Sequence, residues 1–158
     1  KQGYGSFIET AKPLLAKCGD RIVLPVDLAY TENGTRSEAM VGHLPQGSML
    51  VDIGAQTAAI YRAAILAAKT VFVNGPMGIF EQEETEFGTK EVWQSLADTA
   101  AYTVVGGGDS VTATNKYHLA AKIDYICTGG GALIRFLSGE ELPVVRALRH
   151  AAGAFPLD

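Results

Sequence analysis

The stretch TVVGGGDSVTA, residues 103–113, joins a β-branched apolar run to a helix-like run through three glycines and an aspartate. Further along, YICTGGGALIRF, residues 125–136, contains the same kind of junction. Each glycine loses more conformational freedom on folding than any other residue, so two such triplets indicate turns that require backbone without side chains. The two junctions predict strand-to-helix turns in an α/β protein.

Apolar runs alternate with helical patterns on both sides of these junctions. Predicted strands are RIVLPVDLAY from Arg21, SMLVDIG from Ser48, TVFV from Thr70, YTVV from Tyr102 and IDYICT from Ile123. Predicted helices cover residues 7–17, 55–69, 88–101, 110–117, 132–139 and 142–152. The alternation predicts a single α/β region over residues 1–158, a three-layer sandwich with a parallel Rossmann-like sheet.

Composition narrows the functional class. The 158 residues are 47% hydrophobic and 19% charged, with no apolar stretch long enough to span a membrane. The net charge is −4 and basic residues are scattered, which argues against nucleic acid as a partner. Cys18 and Cys127 lie far apart and show no metal-ligand spacing, so free thiols and a cytoplasmic location are expected.

In a parallel sheet, strand-to-helix turns lie at the carboxyl edge, where ligands bind. Four turns are predicted to converge there: residues 52–54, 74–78, 106–110 and 129–132. Glycine turns that begin helices direct free N–H groups and the positive end of the helix dipole toward one place, which predicts a phosphate site. Glycine-rich turns without a ligand are the alternative interpretation, which the presence of two triplets makes less favourable.

Asp109 and Ser110 follow the first triplet directly. Both residue types are common helix caps. An aspartate would repel phosphate unless a cation lay between them, which favours a magnesium ligand at Asp109. Neither GGGDSV nor GGGALI fits G-x-G-x-x-G, and no phosphate loop ending in Gly-Lys-Ser/Thr occurs. Phosphoryl transfer is the reaction that least needs a nucleophile paired with a base.

A series of motifs runs along most of the chain: LPVDLAY, VDIG, NGPMGIFE (residues 74–81), FGT (87–89), VVGGGDS (104–110), TGGGA (128–132) and FLSGEELPVVRAL (136–148). In order and spacing these motifs resemble those of the phosphoglycerate kinase family. The resemblance extends from about Ile22 to Leu148. It implies a two-domain glycolytic enzyme whose carboxyl-terminal domain binds the nucleotide, here MgADP or MgATP, and whose amino-terminal domain binds phosphoglycerate.

The resemblance also implies roles for individual residues. Glu81 would bind the ribose hydroxyls, and Pro76 and Ile79 would line the base and sugar site; a solvated carboxylate and ordinary turn or packing residues are the alternatives. Residues that would contact phosphates are Asn74, Gly107, Gly108 and Ser110, with Asp109 on Mg²⁺. The turn that would face the transferring phosphoryl group and stabilise its charge consists of Gly129, Gly130 and Gly131.

The sequence departs from the family in two respects. It contains no Gly-Gly-Ala-Lys strand, and Leu50-Val51-Asp52 stands where many members have Gly-Leu-Asp near the adenine pocket. We therefore expect a truncated nucleotide domain without the amino-terminal substrate domain, nearly inactive when isolated. A sheet that lacks strands exposes an edge, which predicts a dimer or marginal stability. A non-catalytic nucleotide-binding or assembly module that reuses the fold is the alternative function.

Overall fold

The structure is a computed structural model that describes residues 5–154; the predicted region 1–158 extends beyond them at both ends. Its helices are α1 (Gly5–Cys18), α2 (Ala55–Ala67), α3 (Phe87–Asp98), α4 (Gly108–Lys116), α5 (Gly130–Leu137) and α6 (Pro143–Ala154). Its strands are β1 (Asp27–Glu32), β2 (Thr35–Met40), β3 (Met49–Ile53), β4 (Thr70–Asn74), β5 (Tyr102–Gly106) and β6 (Tyr125–Cys127). Each predicted helix overlaps one of these helices.

The last three strands form the predicted parallel sheet, in the order β4-β5-β6. Val73 of β4 lies opposite Val105 of β5, and Ile126 of β6 lies on the other side of Val105. Helix α3 connects β4 to β5, and α4 connects β5 to β6, so both glycine triplets follow strands of one sheet. The predicted α/β class and its parallel sheet are confirmed.

The first three strands form a separate antiparallel sheet in the order β2-β1-β3, which corrects the prediction that β1 and β3 belong to the parallel sheet. A hairpin joins β1 to β2 through Asn33 and Gly34, whose φ angles are +52° and +80°. Two residues with positive φ make the tight turn typical of Asn-Gly hairpins, which forces the strands to run antiparallel. The first strand also starts later than predicted, since Arg21 lies in a 3₁₀ turn and only Asp27 begins the strand.

The turn at residues 52–54 consequently does not join the rim of the parallel sheet, where it was predicted. This turn leads into α2 instead. The N–H groups at the start of α2 donate to the buried carboxylate of Asp27. That carboxylate accepts hydrogen bonds from the Gln56 and Thr57 amides at 2.9 and 2.7 Å. A Cβ at Gly54 would lie 2.3 Å from the Asp27 carboxyl carbon, so no ligand fits between them.

Asp52 connects the antiparallel sheet to α3. Its side chain is fully buried and accepts hydrogen bonds from the Gly88 amide at 2.6 Å and the Ile53 amide at 2.8 Å. Arg36 lies 3.8 Å away and donates to the Ile53 carbonyl oxygen. Burial raises the pKa of Asp52 even though these donors oppose the shift. The carboxylate therefore holds β3 against the start of α3.

The core lies between α3 and one face of the parallel sheet. Its buried members are Val73, Phe80, Val92, Trp93, Leu96, Val105, Ala113 and Ile123. Side chains of successive strand residues point to opposite faces, so Val73 faces this core while Phe72 faces the other side. There α5 contributes Leu133, close to Phe72 and Gly106. Helices on both faces of the sheet give the sandwich that was predicted.

The face that carries Phe72 is only partly covered among the described residues. Phe72, Tyr102 and Tyr125 are 38%, 53% and 54% exposed, so aromatic surface on this face of the sheet is open to solvent. Strands β4 and β6 each pair only with β5 in this part of the chain. Among the described helices, none has the length and apolar character needed to cross a membrane.

Candidate functional site

The two glycine triplets touch each other at the carboxyl edge of the parallel sheet. The Gly107 amide donates to the Cys127 carbonyl oxygen at 3.0 Å, which joins the ends of β5 and β6. A Cβ at Gly130 would lie only 2.8 Å from the Gly107 Cα, and Gly107 itself has a φ of +96°. These two glycines are therefore required by packing and backbone conformation, whether or not a ligand binds.

Gly108 and Gly131 differ from Gly107 and Gly130 because there is open space beside them. A Cβ built at either position would have no atom within 4 Å apart from its own chain neighbours and helix backbone. Packing does not explain glycine there, whereas an approaching ligand does, because bare backbone lets an anion come close to the N–H groups. The prediction that glycine lets an anion approach the backbone therefore applies to Gly108 and Gly131, and not to Gly107 and Gly130.

An open cleft of about 450 Å³ lies over this junction. It is lined by the starts of α4 and α5 together with the end of β4: Asn74, Gly75, Gly107, Gly108, Asp109, Ser110, Gly130, Gly131, Ile134 and Arg135. Seven of the predicted site residues are among them. Two helix N-termini that open into one cleft place several N–H groups and two positive dipole ends at the same place.

Ser110 joins two of the turns, and Asn74 packs beside a third residue of the cleft, Gly107. The fully buried Ser110 hydroxyl accepts a hydrogen bond from the Gly75 amide at 2.7 Å, which ties the end of β4 to the first turn of α4. The Asn74 amide oxygen lies beside Gly107, 3.0 Å from where its Cβ would be. Ser110 thus has a structural bond in addition to its predicted contact with phosphate.

Asp109 is exposed in the first turn of α4, and its side chain has no hydrogen-bond or ion-pair partner among residues 5–154. Within the same residues, no group of three or more acidic, histidine or cysteine side chains could hold a metal ion. A lone carboxylate beside a cleft suits Mg²⁺, which usually takes one or two carboxylates and completes its coordination with water and substrate phosphates. The donor set fits a metal that arrives with a polyphosphate.

Pro76, Ile79 and Glu81 do not line this cleft. They belong to the loop that leaves Asn74, and this loop lies against the backbone of β3. The Ile79 amide donates to the Val51 carbonyl oxygen at 2.8 Å. A Cβ at Gly78 would lie 2.3 Å from that same oxygen. The loop is therefore held beside the cleft by the antiparallel sheet.

Lys116 holds the other end of this loop. Its ammonium group donates to the Phe80 carbonyl oxygen at 2.5 Å and lies 2.6 Å from the carboxylate of Glu86. The Glu86 side chain is 11% exposed, and the hydrogen bond from Lys116 lowers the pKa of this carboxyl. Since Lys116 ends α4 and Asp109 lies in its first turn, one helix connects the loop to the cleft.

The lowered pKa of Glu86 predicts a pH-dependent contribution to stability. The folded state holds the Glu86 proton less tightly than the unfolded state, whose pKa is near 4.5, so stabilisation is present above that pH and lost as pH falls below it. Glu86→Gln should be less stable than wild type at pH 7, and the difference should shrink below pH 4.5. Urea unfolding across this range measures it. The exposed Glu83→Gln serves as control, and a difference that is constant with pH would contradict the assignment.

Comparison with known proteins shows to which family this chain belongs. The family model described as phosphoglycerate kinase matches residues 2–140. The chain belongs to the phosphoglycerate kinase family. A phosphoglycerate kinase from Methanothermus fervidus is 40% identical over 151 residues, which cover 96% of this chain and 37% of that protein. One from Lactobacillus delbrueckii subsp. bulgaricus is 46% identical over 140 residues, 86% of this chain and 35% of the relative.

Solved structures agree with this assignment. The crystal structure of phosphoglycerate kinase from Pyrococcus horikoshii OT3 superposes with a TM-score of 0.86 at 38% identity, covering 98% of this chain and 39% of that one. The structure of phosphoglycerate kinase from Coxiella burnetii superposes with a TM-score of 0.82 at 30% identity, covering 90% of this chain and 38% of that one. The chain thus spans little more than a third of the length of the phosphoglycerate kinases it matches.

Three cleft residues were not among the predicted site residues: Gly75, which lies in the predicted turn 74–78 but had no assigned role, and Ile134 and Arg135. Arg135 is four residues after Gly131, so a helix that begins at the second triplet places both residues on the same face. Helical spacing counted from the glycines could therefore have found it.

Proposed function

We propose that this chain supplies the nucleotide-binding part of a phosphoglycerate kinase. The reaction would be reversible phosphoryl transfer from 1,3-bisphosphoglycerate to MgADP, giving 3-phosphoglycerate and ATP in glycolysis. The observation that carries the proposal is the cleft in which α4 and α5 begin, with open space beside Gly108 and Gly131, in a chain of this family. A polyphosphate is the ligand that such a cleft suits best.

The cleft supports phosphoryl transfer through position and charge. The turn formed by Gly129, Gly130 and Gly131 would face the transferring group and help to stabilise the charge on its oxygens. Gly107 and Gly108, with Asn74 and Ser110, would contact the other phosphates. No covalent protein intermediate is required, because the transition state for phosphoryl transfer needs mainly alignment and electrostatic stabilisation.

The nucleoside would lie on the adjacent loop. Pro76 and Ile79 would line the base and sugar site, and the exposed Glu81 would accept hydrogen bonds from the ribose hydroxyls. The bonds from Ile79 to Val51 and from Lys116 to the Phe80 carbonyl oxygen hold this loop at both sides of the site. A loop held in this way costs less entropy to order when the nucleotide binds.

The metal would bind at Asp109. The free carboxylate of Asp109 would hold Mg²⁺ at the start of α4, and the ion would supply positive charge that neutralises the phosphates. The aspartate would otherwise oppose the binding of an anion. Its presence in the cleft is therefore best explained by a cation that arrives with the nucleotide.

Calorimetric titration of the chain with ADP, with and without Mg²⁺, tests the proposal. Wild type should bind MgADP, and Asp109→Asn should weaken the binding of MgADP by about tenfold or more. Affinity for metal-free ADP should stay the same or rise, because the substitution removes a negative charge. The exposed Asp20→Asn is the matched control and should bind like wild type.

Two outcomes would count against the proposal. Failure of wild type to bind any adenine nucleotide would overturn it and leave an assembly module as the better function. Equal MgADP affinity in wild type and Asp109→Asn would refute the metal assignment alone. Assayed by itself, the 158-residue polypeptide should turn over little even if it binds nucleotide, because transfer also requires phosphoglycerate to be aligned.

Partners and location are part of the same proposal. We propose the cytoplasm as its location and an amino-terminal substrate domain of the same polypeptide as a partner. The exposed aromatic residues Phe72, Tyr102 and Tyr125 and the free sides of β4 and β6 support an association through this region. Such an association could be a dimer formed through a sheet edge. Analytical ultracentrifugation of the purified chain would detect this dimer.

A further inference from the structure

Of the charged side chains in the cleft, one has a role in the proposed function and the other has none. Among the residues that line it, only Asp109 and Arg135 carry charge. Asp109 has a role as a metal ligand under the proposed function. Arg135 has no role assigned by any motif or by the resemblance.

The Arg135 guanidinium group is available for a ligand. Its side chain is exposed and makes no hydrogen bond or ion pair within residues 5–154. Several other arginines are engaged: Arg62 lies 2.8 Å from Asp98, and Arg149 lies 3.2 Å from Glu141. A guanidinium carries five donors in a planar arrangement that matches two oxygens of a phosphate group.

The position of Arg135 determines which part of a ligand it would meet. Asn74 and Gly75 line one side of the cleft and lead directly into the loop of Pro76 to Glu81, where the nucleoside is proposed to bind. Arg135 lies on α5, one helical turn after Gly131, and α5 follows β6, the strand that β5 separates from β4. A phosphate chain that starts at the nucleoside loop and crosses both helix N-termini would reach Arg135 with its far end.

We propose that Arg135 binds the phosphates beyond the first one of the nucleotide and so selects di- and triphosphates over monophosphates. The inference rests on the proposed nucleotide function, because the direction of the phosphate chain is set by the nucleoside loop. Arg135 supplies attraction that does not depend on the metal, whereas Asp109 contributes only when a cation is bound. The two charges therefore act on the same phosphates in different ways.

The test compares AMP, ADP and ATP on wild type, Arg135→Met and Arg135→Lys, by competition against a fluorescent adenine nucleotide. Arg135→Met should weaken the binding of ADP and ATP by about tenfold, as expected for loss of a hydrogen bond to a charged group, and leave AMP within about twofold. Arg135→Lys should recover part of the loss, because it keeps the charge without the planar arrangement of donors. Arg146→Met, an exposed arginine of α6 outside the cleft, is the matched control.

The outcomes separate this inference from the proposed function. Wild type that binds no nucleotide overturns both. Wild type that binds nucleotide, together with unchanged ADP and ATP affinity in Arg135→Met, overturns only the role of Arg135. An equal loss for AMP, ADP and ATP would assign Arg135 a structural role and also overturn the inference. Far-UV circular dichroism and urea unfolding of each variant check that the exposed substitution leaves the fold intact.

Discussion

Replacement of Trp93 by alanine should lower the free energy of unfolding by about 3–5 kcal/mol, the usual cost of removing a fully buried large aromatic side chain. Trp93 is 0% exposed and lies in the core between α3 and the parallel sheet. The cost combines lost burial of apolar surface with the cavity that remains, since neighbouring side chains only partly fill it. Stability of small domains is itself about 5–15 kcal/mol, so the variant should be largely unfolded at low urea concentrations.

Trp93 also carries a hydrogen bond that leads toward the cleft. Its indole N–H donates to the Thr114 hydroxyl at 2.8 Å, and that hydroxyl donates to the Ser110 carbonyl oxygen at 2.8 Å. Both Thr114 and Ser110 belong to α4, whose first turn lines the cleft. Loss of Trp93 should therefore loosen α4 as well as the core.

Circular dichroism during urea unfolding measures the effect, because Trp93 is the only tryptophan and fluorescence is lost with it. Thr114→Val separates the hydrogen bond from packing: it keeps the volume but leaves the indole N–H without a partner, at an expected cost of about 1–3 kcal/mol. A loss below about 1 kcal/mol for Trp93→Ala would contradict the placement of Trp93 at the centre of the core.

Gly78→Ala should be the most damaging glycine-to-alanine substitution in the loop that follows Asn74. The new Cβ would lie 2.3 Å from the Val51 carbonyl oxygen and 2.6 Å from the Asp52 Cα. Both are backbone atoms of β3, which cannot move aside as a flexible side chain can. Insertion of a methyl group into a packed site typically costs about 1–3 kcal/mol, and a contact with rigid backbone should place this variant at or above the upper end.

The same substitution should weaken nucleotide binding. Displacement of the loop from β3 would break the bond between the Ile79 amide and Val51, 2.8 Å long, and move Ile79 and Glu81 relative to the cleft. Urea unfolding measures the loss of stability, and ADP titration measures the loss of affinity in the protein that remains folded. Gly42→Ala is the matched control, because a Cβ there meets no atom within 4 Å and should change stability by less than about 0.5 kcal/mol. Equal stability of the two variants would show that the loop does not lie on β3.

Prediction from sequence succeeded where local pattern decides structure. The alanine-rich run with three- and four-residue spacing is α2, and the β-branched runs before the glycine triplets are β5 and β6. The order of these elements was sufficient to place both triplets at one edge of a parallel sheet, because strand-helix-strand connections make neighbouring strands parallel. Seven of the predicted site residues line the cleft for the same reason.

The antiparallel sheet was missed although its signal is present in the sequence. Asn33 and Gly34 form a two-residue hairpin, and Asn-Gly between short polar and apolar runs is typical of this turn. The polar strand TRSEAM, however, does not alternate clearly, since its half-buried residues lie on both faces, Arg36 on one and Ser37 and Ala39 on the other. A mostly solvated edge strand has little hydrophobic pattern to detect.

The sequence by itself determined the α/β alternation, the position of the glycine turns and the family of the chain, because these follow from short-range periodicity and motif order. Only the tertiary structure decided that Gly130 packs on the Gly107 Cα, that Gly78 packs on the β3 backbone, and that Arg135 shares a cleft with Asp109. Each of these is a contact between segments distant in the chain. Local propensity does not encode such distances; they arise from how the packed core positions the ends of its strands and helices.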